Sequence, residues 1–147
     1  MNTAEINTLL KKECGEKFLG VYARDNLPTQ LPPRRPLLLV VNTDRSNRKG
    51  QHWVCMCIEK TGQYSEYFDS MGLPPLTEFE NFLDNFSNSW IYNDCKLQSI
   101  ISHYCGHYCV MYCVLKNSMY NLLDIVSCFS DDEGLNDQIA HSFVCKK

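Results

Sequence analysis

The stretch Ser-His-Tyr-Cys-Gly-His-Tyr-Cys-Val-Met-Tyr-Cys, residues 102–113, decides how the rest of the chain is read. From Gly106 onward it is almost wholly apolar, which predicts a long buried helix over Gly106–Met119 with Cys105 at its N-terminus. Unpaired backbone N–H groups at a helix N-terminus carry partial positive charge and stabilise a thiolate. Gly106, lacking a Cβ, lets a substrate backbone come close to the nucleophile. Position alone leaves a second reading open, in which Cys105 is one more packed cysteine.

A reactive thiolate needs a base that becomes a cation beside it. His52 opens an apolar strand, His52–Ile58, and is followed by Trp53. A second strand, Tyr64–Phe68, ends immediately before Asp69. The intervening Glu59–Gln63 contains Thr-Gly, so the two strands read as a hairpin. Antiparallel pairing brings the start of one strand beside the end of the other, which sets the Asp69 carboxylate near the His52 imidazole. Gln98 precedes Cys105 by seven residues on the loop entering the helix. A side-chain amide there is placed to donate to an oxyanion together with the Cys105 N–H. Singly, His52 reads as a strand-end histidine, Asp69 as a turn residue before Gly72 and Gln98 as a loop residue. The weight lies in the set.

The remaining pattern is α+β. Ala4–Cys14 has the spacing of a short amphipathic helix and Phe18–Tyr22 that of a short strand. Pro28, Pro32, Pro33 and Pro36 mark an extended stretch, and Leu37–Asn42 is a continuous apolar run expected to be a buried strand. Asp44–Gly50 is a polar loop. Apolar residues at 76, 79, 82, 83 and 86 predict a helix over Leu76–Phe86, preceded by Pro74-Pro75 and capped by a Thr-x-x-Glu box from Thr77. Trp90–Tyr92 is a short strand, and short helices follow at Leu122–Phe129 and Leu135–Phe143. The expectation is one domain over 1–147, a central, mainly antiparallel sheet packed by helices.

Composition narrows the function. With 147 residues, 44% hydrophobic and 21% charged, the chain suits a single globular core. No apolar run approaches the ~20 residues of a membrane helix. The net charge of −3 is not that of a dedicated nucleic-acid binder; the cluster Arg45, Arg48 and Lys49 reads as a solvated loop. Nine cysteines, an odd number, lie partly within apolar runs. With the polar stretch Met1–Lys12 lacking a signal-peptide core, they imply unpaired thiols in a reducing, intracellular compartment. The rival of another class is a zinc module, since His103, Cys105, His107, Cys109 and Cys113 are dense and Cys55 and Cys57 add two more. Cys105, Cys109 and Cys113 share one helix face, where packing in the core is the plainer role; the expectation is no metal. His107 and His141 receive no role, and His103 approaches the cleft without a partner.

His52-Trp53, Phe68-Asp69-Ser70-Met71-Gly72, Gln98 and Cys105-Gly106 resemble, in this order, the motifs of adenain, the adenovirus endopeptidase, and of the wider fold group that includes ubiquitin-like-protein proteases. Phe18–Tyr22 and Leu37–Thr43 are similar to adenain's opening segments, so the likeness runs from about residue 5 to about 120. The resemblance implies a monomeric cysteine endopeptidase that cleaves after small residues, at Gly-Gly or Gly-x-Gly sites, with Trp53 and Gly106 lining the substrate path. It implies viral capsid or core precursors as substrates and the host nucleus or virion as location. The deconjugation of ubiquitin-like proteins is the alternative within the group. Adenain has Glu where Asp69 stands. Its activating peptide is disulfide-linked to a cysteine whose position aligns near Ser87, the nearest thiol being Cys95, and its DNA cofactor suits a basic protein. The expectation here is therefore that no cofactor is required.

Overall fold

The computed structural model describes residues 1–48, 52–59 and 64–147. Five strands form one sheet: β1 (Phe18–Ala23), β2 (Leu37–Asn42), β3 (Trp53–Ile58), β4 (Tyr64–Phe68) and β5 (Ser89–Tyr92), in that spatial order. β2 is apolar from Leu37 to Val41 because both of its faces are covered. Leu38 and Val40 enter a core cluster with Cys55, Cys57, Tyr108 and Val110, whereas Leu37, Leu39 and Val41 enter another with Met56, Phe79 and Leu83. The period-2 alternation of side chains thus divides one strand between two cores.

The three central strands are antiparallel, as the hairpin pattern predicts. The outer pairs β1–β2 and β4–β5 are parallel. Parallel neighbours need a crossover rather than a tight turn. The proline-bearing segment 24–36 supplies one, and helix α2 (Thr77–Phe86) with its flanking residues supplies the other. The expected turn at Glu59–Gln63 and the end of the loop at 49–50 lie mostly outside the described residues.

Helix α1 (Thr3–Cys14) and helices α3 (Cys105–Asn117), α4 (Leu122–Val126) and α5 (Glu133–Cys145) cover one face of the sheet, and α2 covers the other. α3 is the central element. Tyr108 through Val114 are all buried along it, which explains its apolar sequence on every side.

Two helix starts differ from the pattern. α2 has Leu76, not Thr77, at its N-cap, with no side-chain cap. Pro75 holds the preceding residue extended, and the Leu76 carbonyl accepts from Phe79 N–H at 3.0 Å and Glu80 N–H at 2.9 Å, so Thr77 falls inside the first turn. α3 begins at Cys105 rather than Gly106, placing the thiol within the first turn. It ends at Asn117, two residues before Met119, which adopts φ 75°. Among the described residues no helix is long and apolar enough to cross a membrane.

Candidate active site

The structure brings together the sequence-predicted residues at the N-terminus of α3. A cleft of about 410 Å³ is lined by His52, Trp53, Met71, Gln98, His103 and Cys105, among others. A roomier hollow of about 540 Å³ lies along α5, shares none of these residues and holds no His, Cys or carboxylate. The smaller space is the one with chemistry.

His52 sits at the mouth of β3, and Asp69 follows the last residue of β4. The β3–β4 register pairs Cys55 with Phe68. Extending it by one residue sets Asp69 across from Val54, two positions from His52, a diagonal that side chains can span. His52 Nε2 and Asp69 Oδ1 are 2.6 Å apart. Asp69 is 3% exposed, and the same oxygen accepts the Met71 N–H at 2.8 Å. With Nε2 committed to the carboxylate, Nδ1 is the ring nitrogen left for the thiol.

Cys105 and His52 line the same cleft, and each shifts the ionisation of the other. Burial alone would raise the thiol's pKa, but the neighbouring His52 ring, the backbone N–H groups of Trp53 and Gly106 and the charge on His52 bring it below the ordinary thiol value. Burial likewise disfavours the imidazolium. Hydrogen bonds and charge from Asp69 and Cys105 outweigh that and raise His52 to about 9. The two shifts run in opposite directions, and together they favour a thiolate–imidazolium pair.

The other cysteines behave differently. Cys109 and Cys113 are 1% and 0% exposed on the core face of α3. Burial pushes the Cys109 thiol up to about 11 and the Cys14 thiol up to about 12. Cys55 is buried against both, its Sγ 3.6 Å from the Cys109 carbonyl and 3.9 Å from Cys113 Sγ. Each is the small buried hydrophobe that its apolar context predicts. All nine cysteines are free. Among the described residues no three His, Cys, Asp or Glu side chains gather as a metal-binding group.

Gln98 is 3% exposed and held at both ends of its amide. Its Oε1 accepts from Ser70 Oγ at 2.7 Å, and its Nε2 donates to the Ser102 carbonyl at 3.1 Å. One Nε2 proton remains, and Gln98 lines the cleft with Cys105. The two loops carrying Asp69 and Gln98 are also tied through their backbones, with Leu97 and Gln98 N–H groups donating to the Ser70 carbonyl at 2.9 and 3.0 Å.

Trp53 and Gly106 meet beside Cys105. A Cβ on Gly106 would lie 3.1 Å from Met1 Cβ and 3.5 Å from Trp53 Cδ1, so a larger residue there would press on the Met1 side chain. His103 is exposed at the rim. His107 stacks with Tyr104 and His141, ring centroids 5.1 and 5.3 Å away. Burial, then the nearby N-terminal and His141 charges, depress it to about 4, so it is a neutral packing residue.

Sequence reasoning missed Asn93. This buried side chain accepts from the Asp69 N–H at 2.9 Å and donates to the Asp69 carbonyl at 2.6 Å, clamping the backbone that aims the carboxylate. Gly72, read in the sequence as the end of the turn after Asp69, has a packing role that the motif does not reveal. At φ 69°, a Cβ there would come within 2.6 Å of the Cys95 carbonyl carbon, so only glycine lets the Asp69 turn pack on the segment leading to Gln98. An isolated asparagine beyond a strand gives no signal in sequence; Asp-Ser-Met-Gly does signal a turn, but not what packs on it.

No protein-family model matches the chain, and no curated protein does. Solved structures do. A crystal structure of the ASFV pS273R protease superposes with a TM-score of 0.65 at 17% identity, over 95% of this chain and 66% of that one. The selenomethionine form of the same protease gives a TM-score of 0.53 at 22% identity, over 73% of this chain and 44% of that one. The chain thus spans less than two thirds of the length of the proteins it matches. At such identities the likeness is one of fold: a five-stranded sheet packed by helices.

Proposed function

We propose that this chain is a cysteine endopeptidase in which Cys105 is the nucleophile, His52 the base and acid, Asp69 the orienting carboxylate and Gln98 an oxyanion donor. The observation that carries the reading is the convergence of Cys105 and His52 on one cleft at the N-terminus of a buried helix, with His52 held 2.6 Å from Asp69. Cys105 attacks the scissile carbonyl as thiolate while the imidazolium stands ready to protonate the leaving amine. Water then attacks the acyl-enzyme, with neutral His52 taking its proton. Asp69 fixes the tautomer and supports the cation. The free Nε2 proton of Gln98 and the Cys105 N–H receive the tetrahedral oxyanion. No metal or other cofactor has a part in these steps.

The resemblance to adenain, with Trp53 lining the cleft beside Cys105, supports small residues at the acyl position, of the Gly-Gly or Gly-x-Gly kind. The viral origin of the adenain motifs makes structural precursor proteins the preferred substrates, with the chain acting as a monomer inside the infected cell.

The test is incubation of the wild type and Cys105→Ala with a Gly-Gly reporter peptide, in reducing buffer with EDTA. Cleavage by the wild type alone supports the reading. EDTA-sensitive cleavage, or cleavage by both proteins, refutes it. A folded ubiquitin-like modifier cleaved far better than the peptide would move the substrate class to deconjugation while keeping the same residues.

A further inference from the structure

A second hollow adjoins the cleft. It measures about 270 Å³ and shares Trp53 with the catalytic space, so the indole is the partition between them. Asn26, Asn42, Arg45, Ser46 and Arg48 contribute its polar lining, and none of its lining residues is acidic. Arg45 and Arg48, of the cationic cluster that reads as a solvated loop in the sequence, therefore line a concavity one side chain away from the proposed nucleophile; Lys49 lies outside the described residues.

The charges around it are incompletely spent. Arg45 lies 4.0 Å from Glu78, a carboxylate that also faces Arg24 at 3.8 Å. Arg24 Nε is buried and has no hydrogen-bond partner. Arg48 has no carboxylate partner among the described residues. Asp25 stands exposed beside the hollow, its two oxygens held by Ser46 N–H at 2.8 Å and Ser46 Oγ at 2.9 Å, with Arg45 as a nearby cation. The Asn42 carbonyl oxygen accepts the Asp44 N–H at 2.8 Å, which leaves the Asn42 amide N–H₂ as a donor. The hollow thus presents the Arg48 guanidinium with no carboxylate partner among the described residues, the Arg45 guanidinium at the edge of Glu78 and Asp25, and amide donors, with no acidic residue in its lining. That donor set is complementary to a carboxylate.

We infer that this hollow is a substrate subsite selecting an acidic side chain, Asp or Glu, near the scissile bond. The inference rests on the protease reading of the cleft and adds to it a specificity determinant that the small residues at the cut cannot supply. An extended peptide advances about 3.3 Å per residue, so a substrate passing Trp53 delivers a side chain here within about four residues of the bond. The space suits a side chain rather than a run of nucleic-acid backbone, in keeping with the net charge of −3.

The experiment is a charge scan. Internally quenched Gly-Gly peptides carry Asp, Asn or Lys in turn at each of the four positions on either side of the cut, and kcat/KM is read for the wild type, Arg48→Gln and Arg45→Glu/Arg48→Glu. The wild type should prefer Asp over Lys by about tenfold at one position, a difference of ~1.4 kcal/mol. About 1 M salt should reduce that preference, because the screening length falls to ~3 Å. Arg48→Gln should weaken the preference and the double charge reversal should invert it, each read as a ratio within one protein. Equal rates for Asp and Lys at every position, or an unchanged ratio in the reversed variant, would overturn the inference and leave the protease reading standing. Inhibition by an oligonucleotide that is lost in the reversed variant, with no Asp preference, would assign the hollow to nucleic acid instead. Cleavage of no peptide in the set, by wild type that fails to react at Cys105, would count against the protease reading and this inference together.

Discussion

The two ends of helix α3 each hold a charged group against strand β4, and they treat it in opposite ways. At the N-terminus, Cys105 meets His52, which bonds to Asp69 just beyond β4, and the group opens on the cleft. Near the C-terminus, Lys116 and Tyr112 reach Glu66, three residues earlier on the same chain segment. Glu66 is 0% exposed, its Oε1 accepting from Lys116 Nζ at 3.0 Å and from the Leu122 N–H at 3.1 Å, its Oε2 from Tyr112 Oη at 2.8 Å. Glu59 adds a second carboxylate to the ammonium. Burial opposes the Lys116 charge, yet hydrogen bonding to Glu59 and the nearby negative groups raise its pKa.

The sealed group satisfies its donors and acceptors internally, so it fixes how β4, α3 and α4 sit together but offers nothing to a substrate. The open group leaves the thiol partly accessible, and its polarisation is directed at a place where a substrate can go. On the proposed reading, the same helix therefore carries an anchoring network at one end and a reactive one at the other. Removing one partner should have separable effects on stability and on chemistry.

The sharpest break is Cys105→Ala. Turnover should fall at least about 10³-fold, while the melting temperature stays within the error of a differential scanning experiment. A large drop in stability would mean that Cys105 is a packing residue after all. Lys116→Ala should do the reverse. It strands Glu66 in the core and should cost roughly 3–5 kcal/mol in denaturant unfolding, whereas Cys105 in the folded fraction keeps its alkylation rate. An intermediate case is Asp69→Asn, which keeps the side-chain shape and the Asn93 clamp but removes the charge. It should lower kcat/KM by roughly 10² or more with circular dichroism unchanged, and full activity would remove Asp69 from the site.

The smallest effect is thermodynamic. His52 is raised from its ordinary value to about 9 in the folded chain. Its bond to Asp69 therefore stabilises the fold fully below the unfolded imidazole value, ~6.5. That contribution is lost as pH rises from there through about 9. The gap in melting temperature between wild type and Asp69→Asn should narrow across this window, and a gap that widens would contradict the shift.

Much of the reactive end was legible in the sequence because its parts sit at element boundaries. An apolar strand begins after His52, another ends before Asp69 and an apolar helix begins at Cys105, so periodicity locates the residues even before any contact is known. The hairpin supplied the pairing of His52 with Asp69 across 17 positions. The sealed end was not legible. Glu66 alternates within a strand as any surface residue would, and Lys116 lies 50 positions away on a helix whose other faces are apolar. Only the tertiary approach of the two makes each tolerable in the core. Asn93 was hidden for a similar reason, since a backbone clamp leaves no periodic trace. The Thr77 box misled because prolines upstream fixed the helix start one residue earlier than side-chain capping would.

The most direct measurement of the central claim is site-resolved alkylation by iodoacetamide across pH, read by mass spectrometry on each cysteine of the wild type and of His52→Ala. Cys105 in the wild type should label with a rate that levels off below the ordinary thiol range, while Cys109 and Cys14, pushed up to about 11 and about 12, stay unlabelled. His52→Ala should move the Cys105 profile to higher pH. If Cys105 instead titrates as an ordinary thiol and His52→Ala leaves its profile in place, the thiolate–imidazolium pair does not exist and the active-site assignment fails.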